Sequence, residues 1–295
     1  LLARLFNAAP GSIAVGGTSG KSTVTGMIGW IMTKVGRDPT IMNGAVMKNF
    51  VSHDAPFASA RVGGGDLFVS EVDESDGSIA LYQPQVAVLL NVSLDHKSMA
   101  ELRLLFGDFL RMSSICAVTP DDTEAASLLP ASTPHVTYGI ANPEAQIGVF
   151  AETIVEGPLS IAATVIDRRD GYAHPLLLEV PGRHNLSNAL AAIAAVNAAG
   201  VPVRDAVDAL SSYAGLARRF DVVGTSPSGI TVIDDFGHNP EKCAATLATL
   251  KAHPGRVIAL FQPHGYGPLR QMGRELAEVF ARILGPDDLT ILCDP

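Results

Sequence analysis

The sequence predicts an α/β protein: a parallel sheet flanked by helices, a small antiparallel sheet appended to it, and then a second, shorter α/β region. Three observations predict it. Short apolar runs bounded by turn residues alternate with helix-patterned stretches, as in a sheet covered by crossover helices. The heptapeptide Gly17-Thr18-Ser19-Gly20-Lys21-Ser22-Thr23 stands directly after one apolar run and before a helical pattern. Residues Gln146 to Val180 break the alternation, with Ile147 to Ile154, Leu159 to Ile166 and Leu176 to Val180 reading as strands without long helices between them.

The first strand, Ser12 to Val15, leads into the heptapeptide. A glycine turn there lets successive backbone N–H groups point at phosphate oxygens, and the next helix adds unpaired N–H groups and its positive dipole end. Lys21 can then reach the β and γ phosphates, and Ser22 can offer its hydroxyl to Mg²⁺. Met27, Ile28, Ile31, Met32 and Val35 recur at helical spacing and supply that helix. This is a phosphate-binding loop (P-loop), although the strict spacing wants glycine five residues before Gly20 and Val15 stands there.

The next strand, Leu67 to Val72, runs into Glu71-Val72-Asp73-Glu74-Ser75-Asp76-Gly77. Glu71 should emerge at the strand's C-terminal end, where open α/β sheets bind ligands, and a carboxylate beside a phosphate loop suits a hard cation such as Mg²⁺. The alternative is a solvated acidic turn. Val86 to Val92 closes in Asn91-Val92-Ser93-Leu94-Asp95-His96, which places His96 at the same sheet edge as a metal-site residue or a hydrogen-bonded structural group. Ile115 to Val118 continues the sheet. After the strand-rich patch, Gly182 to Asn188 opens an apolar helix, Ala189 to Val201. Asn185 and Asn188 lie on one face of its first turn, where one can cap the helix and the other read an adenine edge.

A break follows between Tyr213 and Asp221, where Arg218-Arg219 leads into new strand–helix–strand units. The predicted domains are therefore 1–214 and 215–295. In the second, Ile230 to Ile233, Val257 to Phe261 and Leu289 to Leu292 read as strands, and Asp234-Asp235-Phe236-Gly237-His238-Asn239-Pro240 forms a third polar strand end with Pro240 suited to open a helix.

Composition agrees with a globular chain: 47% of the 295 residues are hydrophobic, 17% are charged, and the net charge is −9. That charge argues against a nucleic-acid or anionic-membrane surface, while small anionic ligands stay possible in a locally positive pocket. No run reaches the length of a membrane span, and Leu1 to Ala9 does not have the pattern of a signal peptide. Cys116, Cys243 and Cys293 match no metal or disulfide spacing. The expectation is a cytoplasmic protein with small-molecule partners.

Taken together and in order, Glu71 to Ser78 (EVDESDGS), Val180 to Leu190 (VPGRHNLSNAL), Arg218 to Gly224 (RRFDVVG), Asp234 to Pro240 (DDFGHNP) and Phe261 to His264 (FQPH) resemble the Mur ligase family, ATP-dependent enzymes that add amino acids to the peptidoglycan precursor. The resemblance is strongest to its alanine-adding branch and runs over essentially the whole chain. It implies a central ATP-binding domain followed by an incomplete, Rossmann-like C-terminal α/β domain. It also implies ATP and Mg²⁺ as cofactors and a reaction in which the γ-phosphoryl group moves to a muramoyl carboxylate, an amino group attacks the acyl phosphate, and ADP and phosphate leave.

By position, the resemblance puts Gly17 to Thr23 on the phosphates, Ser22 and Glu71 on Mg²⁺, and His96 at a second metal position or the reaction centre. It puts Asn185 and Asn188 on the adenine side and brings Arg219 and Asp235 to the nucleotide from the C-terminal domain. Phe236 and His238 would lie near the incoming amino acid. The chain has no lysine between Lys97 and Lys242, which fits the alanine-adding branch over those that use a carbamylated lysine. Three positions depart from the branch. Gly265 and Pro268 replace two arginines after FQPH, leaving Arg270 to compensate, and Ser98 stands in place of an aspartate. Family members also carry a UDP-binding domain ahead of the loop, so the expectation is a fragment of a longer chain. The other expectations left open are an ATP-binding module without ligase activity and a ligase for a different acid or amino acid.

Overall fold

The computed structural model describes residues 1–94, 97–263 and 265–294. Helix α1 (Leu2–Ala8) precedes strand β1 (Gly11–Gly16), which runs through the phosphate loop into α2 (Lys21–Lys34). There follow β2 (Thr40–Met42), β3 (Ala60–Arg61), β4 (Leu67–Glu71), β5 (Val86–Leu89), α3 (Met99–Arg111), β6 (Ile115–Val118), α4 (Thr123–Ser127) and β7 (His135–Thr137). These strands form one sheet in the order β3-β2-β4-β1-β5-β6-β7, parallel except for β3. β1 sits between β4 and β5, with Val15 beside Glu71 and Gly16 beside Leu89. That order brings the ends of three strands to one edge, and the polar segments after each meet there.

Both faces of this sheet are covered, so its strands read as unbroken apolar runs. On one face Val15, Val69 and Val88 pack with Met27, Ile28 and Ile31 of α2; on the other Ala14, Leu89 and Val118 pack with Phe106, Phe109 and Leu110 of α3. Glycine lets α2 lie close: a Cβ at Gly29 would fall 2.5 Å from Ile41 Cδ1, and one at Gly26 2.8 Å from Tyr213 Oη. The helix tolerates both because close packing offsets the roughly 1 kcal/mol cost of each interior glycine.

The strand-rich patch is a small antiparallel sheet, in which β10 (Ile161–Asp167) pairs with β8 (Ile147–Val149), β9 (Val155–Glu156) and β11 (Tyr172–Leu178). β10 alternates buried and half-buried residues throughout, the pattern of a strand with one face on the core. It leads to α5 (Arg183–Ala198) and α6 (Val203–Leu210). Ten residues of α5 are buried, including Leu186, Leu190 and Ile193. Each fully buried side chain of that size contributes about 1.5–3 kcal/mol. A charge at Ile193 would break this packing.

Beyond Arg219 the chain forms an antiparallel hairpin, β12 (Asp221–Thr225) with β13 (Thr231–Asp234), then α7 (Pro240–Lys251), β14 (Ile258–Phe261), α8 (Tyr266–Ile283) and β15 (Leu289–Leu292). β14 and β15 pair in parallel, and Cys243, Leu247, Leu276 and Val279 make a separate small core. Contacts with the segment after β2 tie down the start of this region and the residues just before it: Met47 bridges Leu216, Ala217 N–H donates to Val46 O at 2.9 Å, and Lys48 Nζ pairs with Asp221 at 2.7 Å.

The observed elements depart from the sequence reading in several places, among them the strand read over Leu176 to Val180, which runs over Tyr172–Leu178. The strand expected over Val86 to Val92 ends at Leu89, because Asn91 turns to hold the phosphate loop. The run Ile147 to Ile154 leaves strand geometry after Val149 for a 3₁₀ turn. Short β2, β3, β7 and β12 carry too few apolar residues to stand out. Among the described residues no helix is long and apolar enough to cross a membrane.

Candidate functional site

The site begins where β1 gives out. Gly17 (φ +136°) and Gly20 (φ +90°) adopt backbone conformations that other residues rarely tolerate. A Cβ at Gly17 would press on Leu90 and Asn91, and one at Gly20 would come within 2.6 Å of Asn188 Oδ1. α2 then starts at Lys21 with Gly20 as its N-cap and no side-chain cap, leaving the first-turn N–H groups to a ligand.

Asn91 holds this loop in shape. Its Oδ1 accepts from Ser19 N–H and Thr18 Oγ1, both at 2.8 Å, and its Nδ2 donates to Ser19 O at 3.0 Å. One amide thus serves both backbone groups of Ser19. Sequence reasoning did not single out Asn91; its position at the end of the neighbouring parallel strand was the available signal.

Lys21 and Glu71 meet opposite surroundings. Lys21 Nζ donates to Gly17 O at 2.7 Å and to Glu74 Oε2 at 2.8 Å, and the Glu74 side chain is only 4% exposed. Glu74 was also overlooked, although it lies inside the acidic segment. Glu71, at the end of β4, has its Oε2 buried with no hydrogen-bond partner among the described residues. A buried carboxylate oxygen left unpaired costs about 1–3 kcal/mol or more, so the position invites a cation. Gly44 makes room for it, since a Cβ there would fall on Glu71 Oε1.

Two adjoining cavities run from this point. One of about 200 Å³ is lined by Thr18 to Thr23, Gly44, Glu71, Arg219 and Lys242. Another of about 240 Å³ is lined in part by Asn91, Asn185, Asn188, Arg219, Asp235 and Lys242. Arg219 enters both. The surrounding protein lowers its pKa by desolvation, which the charges of Asp235 and Glu71 oppose. Its guanidinium lies 5.3 Å from the Phe236 ring centroid.

Most sequence-predicted site residues therefore converge: Gly17 to Thr23 form the loop, and Glu71, Asn185, Asn188, Arg219 and Asp235 line the cavities. Asn185 does not cap α5. Gly182 takes that position, and Asn185 Nδ2 donates back to Pro181 O at 2.7 Å. Asp235 lines the larger cavity with its carboxylate engaged by the protein: Phe220 N–H and Gly237 N–H donate to it at 2.8 Å and Thr246 Oγ1 at 3.1 Å. Phe236 and His238 lie on the segment after β13, with His238 Nδ1 3.0 Å from Phe236 O. Arg270 is exposed on α8 and lines neither cavity. His96 lies outside the described residues. Lys242, which sequence reasoning passed over, adds a third basic side chain to the smaller cavity.

Comparison with known proteins gives the family. The Mur ligase middle domain family model matches residues 15–196, and the Mur ligase, glutamate ligase domain model matches 218–294. The UDP-N-acetylmuramate--L-alanine ligase of Nitrosomonas europaea is 36% identical over 311 residues, covering 100% of this chain and 63% of the relative. That of Ralstonia nicotianae is 36% identical, covering 100% and 62%. The chain thus spans less than two thirds of the length of these relatives. In fold it is similar to the UDP-N-acetylmuramate-alanine ligase MurC of Thermotoga maritima, with a TM-score of 0.78 at 24% identity over 97% of this chain and 68% of that one. A murein peptide ligase of Psychrobacter arcticus superposes with a TM-score of 0.71 at 23% identity, covering 100% and 71%. Matched by both models and by relatives along its full length, the chain belongs to the Mur ligase family.

Proposed function

We propose that this chain carries the phosphoryl-transfer centre of a cytoplasmic, ATP-dependent amide ligase that joins L-alanine to UDP-N-acetylmuramate through an acyl phosphate. The names of its relatives support the substrates. The observation that carries the reading is the buried Glu71 Oε2 beside the phosphate loop, without a hydrogen-bond partner among the described residues, in a cavity that Arg219 enters from beyond the middle region. In this reading residues 1–214 bind ATP and 215–295 close over it.

The residues present fit Mg²⁺. Ser22 and Glu71 would hold it, with phosphate oxygens completing an oxygen shell, and it would neutralise charge on the transferring phosphate. Lys21 exchanges Glu74 for the β and γ phosphates when the triphosphate enters. Asn188, against the loop at Gly20, and Asn185 border the adenine side, and Arg219 meets charge that develops on the phosphate as it moves. The chain's contribution is thus positioning and charge stabilisation in a cleft that excludes water from the acyl phosphate. His96 serves the reaction centre, and Phe236, His238 and Arg270 face the amino acid.

The test is ADP release by the protein with ATP, Mg²⁺, UDP-N-acetylmuramate and a panel of amino acids. Release that depends on L-alanine supports the reading. Nucleotide binding without amino-acid-dependent release would instead favour a binding module, for which Gly265 and Pro268 in place of arginines are the specific observation.

A further inference from the structure

Lys242 stands where helix chemistry does not ask for a lysine. Helix α7 opens with Asn239 as its N-cap, and Asn239 Oδ1 accepts from Lys242 N–H at 2.9 Å. Pro240, Glu241 and Lys242 therefore fill its first three positions. The first turn of a helix carries the positive end of its dipole and favours acidic side chains, and the third position suits a glutamate that completes a capping box. Glu241 follows that rule and Lys242 breaks it. Sequences break a local rule chiefly at functional sites.

The fold shows what this turn faces. Glu241 Oε2 lies 3.4 Å from Ser93 Oγ, and Ser93 Oγ lies 2.9 Å from Thr18 Oγ1 of the phosphate loop, so the start of α7 abuts the loop from across the cleft. Lys242 is half-buried and lines both cavities; among the described residues Arg219 is the other basic side chain that does so. The charges of the smaller cavity give a lysine there its use. Glu71 already places a carboxylate in the wall, and the Lys21 ammonium is paired with Glu74. A polyphosphate entering beside them adds further negative charge, which cations from the C-terminal wall offset. An ammonium is a compact point charge suited to phosphate.

We propose that Lys242 is a further phosphate-binding residue, supplied by the C-terminal region: its ammonium meets the phosphate chain of the nucleotide from the wall opposite the glycine loop. The proposal rests on the proposed nucleotide site. It makes the start of α7 a part of the binding surface, so that the phosphates are held from both regions of the chain at once.

The test is MgATP affinity, by titration calorimetry at low and high salt, in the intact wild type, Lys242→Met and Lys242→Arg. Lys242→Met removes the charge and keeps a long helix-forming side chain. It should weaken binding at low salt by about tenfold or more, the loss expected for one hydrogen bond to a charged group, and the gap should narrow as salt screens the attraction. Lys242→Arg keeps the charge and should keep most of the affinity. Wild-type affinity in Lys242→Met would overturn the proposal. So would a loss in Lys242→Arg as large as that in Lys242→Met, or a gap indifferent to salt, because a disturbed helix start would give either. Should Lys242→Met fold poorly, Lys242→Gln takes its place with the same expected loss, and wild-type affinity there would overturn the proposal equally. A wild type that binds no MgATP fails the nucleotide reading itself and takes this proposal with it, whereas a wild type that binds and a Lys242→Met that binds equally well fails the proposal alone.

Discussion

The two walls of the cleft are built by different physics. On the sheet wall, Ser22, Lys21 and Glu71 stand where they do because parallel strands β1 and β4 end side by side and a glycine loop opens directly into a helix. Local backbone geometry settles their placement. On the opposite wall, Arg219 is delivered by two strained residues and by hydrogen bonds from a segment some fifteen residues further along the chain. The first wall is preformed by the fold, and the second depends on tertiary contacts being made. On the proposed reading the sheet side supplies the phosphate seat by itself, while phosphoryl transfer would need the other side in place as well.

The strongest way to break this contrast is at Lys21. Lys21→Ala should lower turnover about 10²–10³-fold, the loss expected for one preorganised charge-stabilising group. It should also destabilise the protein by about 3–5 kcal/mol, because Glu74 is left buried and unpaired. Lys21→Met combined with Glu74→Gln separates the two effects: thermal unfolding should return toward wild type while turnover stays low. A double variant no more stable than Lys21→Ala would remove Glu74 from the account.

Glu71→Gln should show the opposite sign in stability. Turnover falls about 100-fold, yet the protein keeps or gains stability, since the change removes a carboxylate whose buried Oε2 has no hydrogen-bond partner among the described residues. Denaturant unfolding checks this, and a marked loss of stability would mean that Glu71 is a structural residue. Asn91→Ala is a smaller change on the same wall. Losing the clamp on Ser19 should cost about 1–3 kcal/mol and weaken nucleotide binding with little effect on the turnover of bound substrate.

The smallest effect lies outside the cleft, in the turn before β15 of the C-terminal region. Hydrogen bonds from Lys251 and from the backbone N–H groups of Val257 and Gly285 hold Asp288 at about 2, below the ordinary carboxylate value. A depressed carboxyl contributes stability that is present above its unfolded value near 4 and lost as pH falls toward 2. Acid unfolding of this region should therefore steepen between about pH 4 and pH 2. Asp288→Asn should flatten that slope, and an unchanged slope would exclude the group.

What was legible in the sequence follows the same division. The phosphate loop and Glu71 could be read because each rests on a strand end and a local turn. Asn91 and Glu74 could not be ranked above their neighbours, since their partners Ser19 and Lys21 lie more than fifty positions away and are chosen by sheet register. Gly44 looked like any loop glycine until Glu71 was seen to need its missing side chain. One of Asn185 and Asn188 was expected to cap a helix, but α5 begins at Arg183 with Gly182 as its N-cap, and Asn185 turns its amide back to Pro181. Arg219 stood out as half of a basic pair, whereas its strained flanks leave no mark in residue types that usually avoid positive φ.

The most direct measurement is the affinity for ATP with and without Mg²⁺, by titration calorimetry, in the wild type and Glu71→Gln. If the unpaired carboxylate oxygen is the metal's seat beside the triphosphate, the wild type binds MgATP more tightly than ATP alone and the variant loses that difference. A variant that keeps the full magnesium dependence would contradict the account.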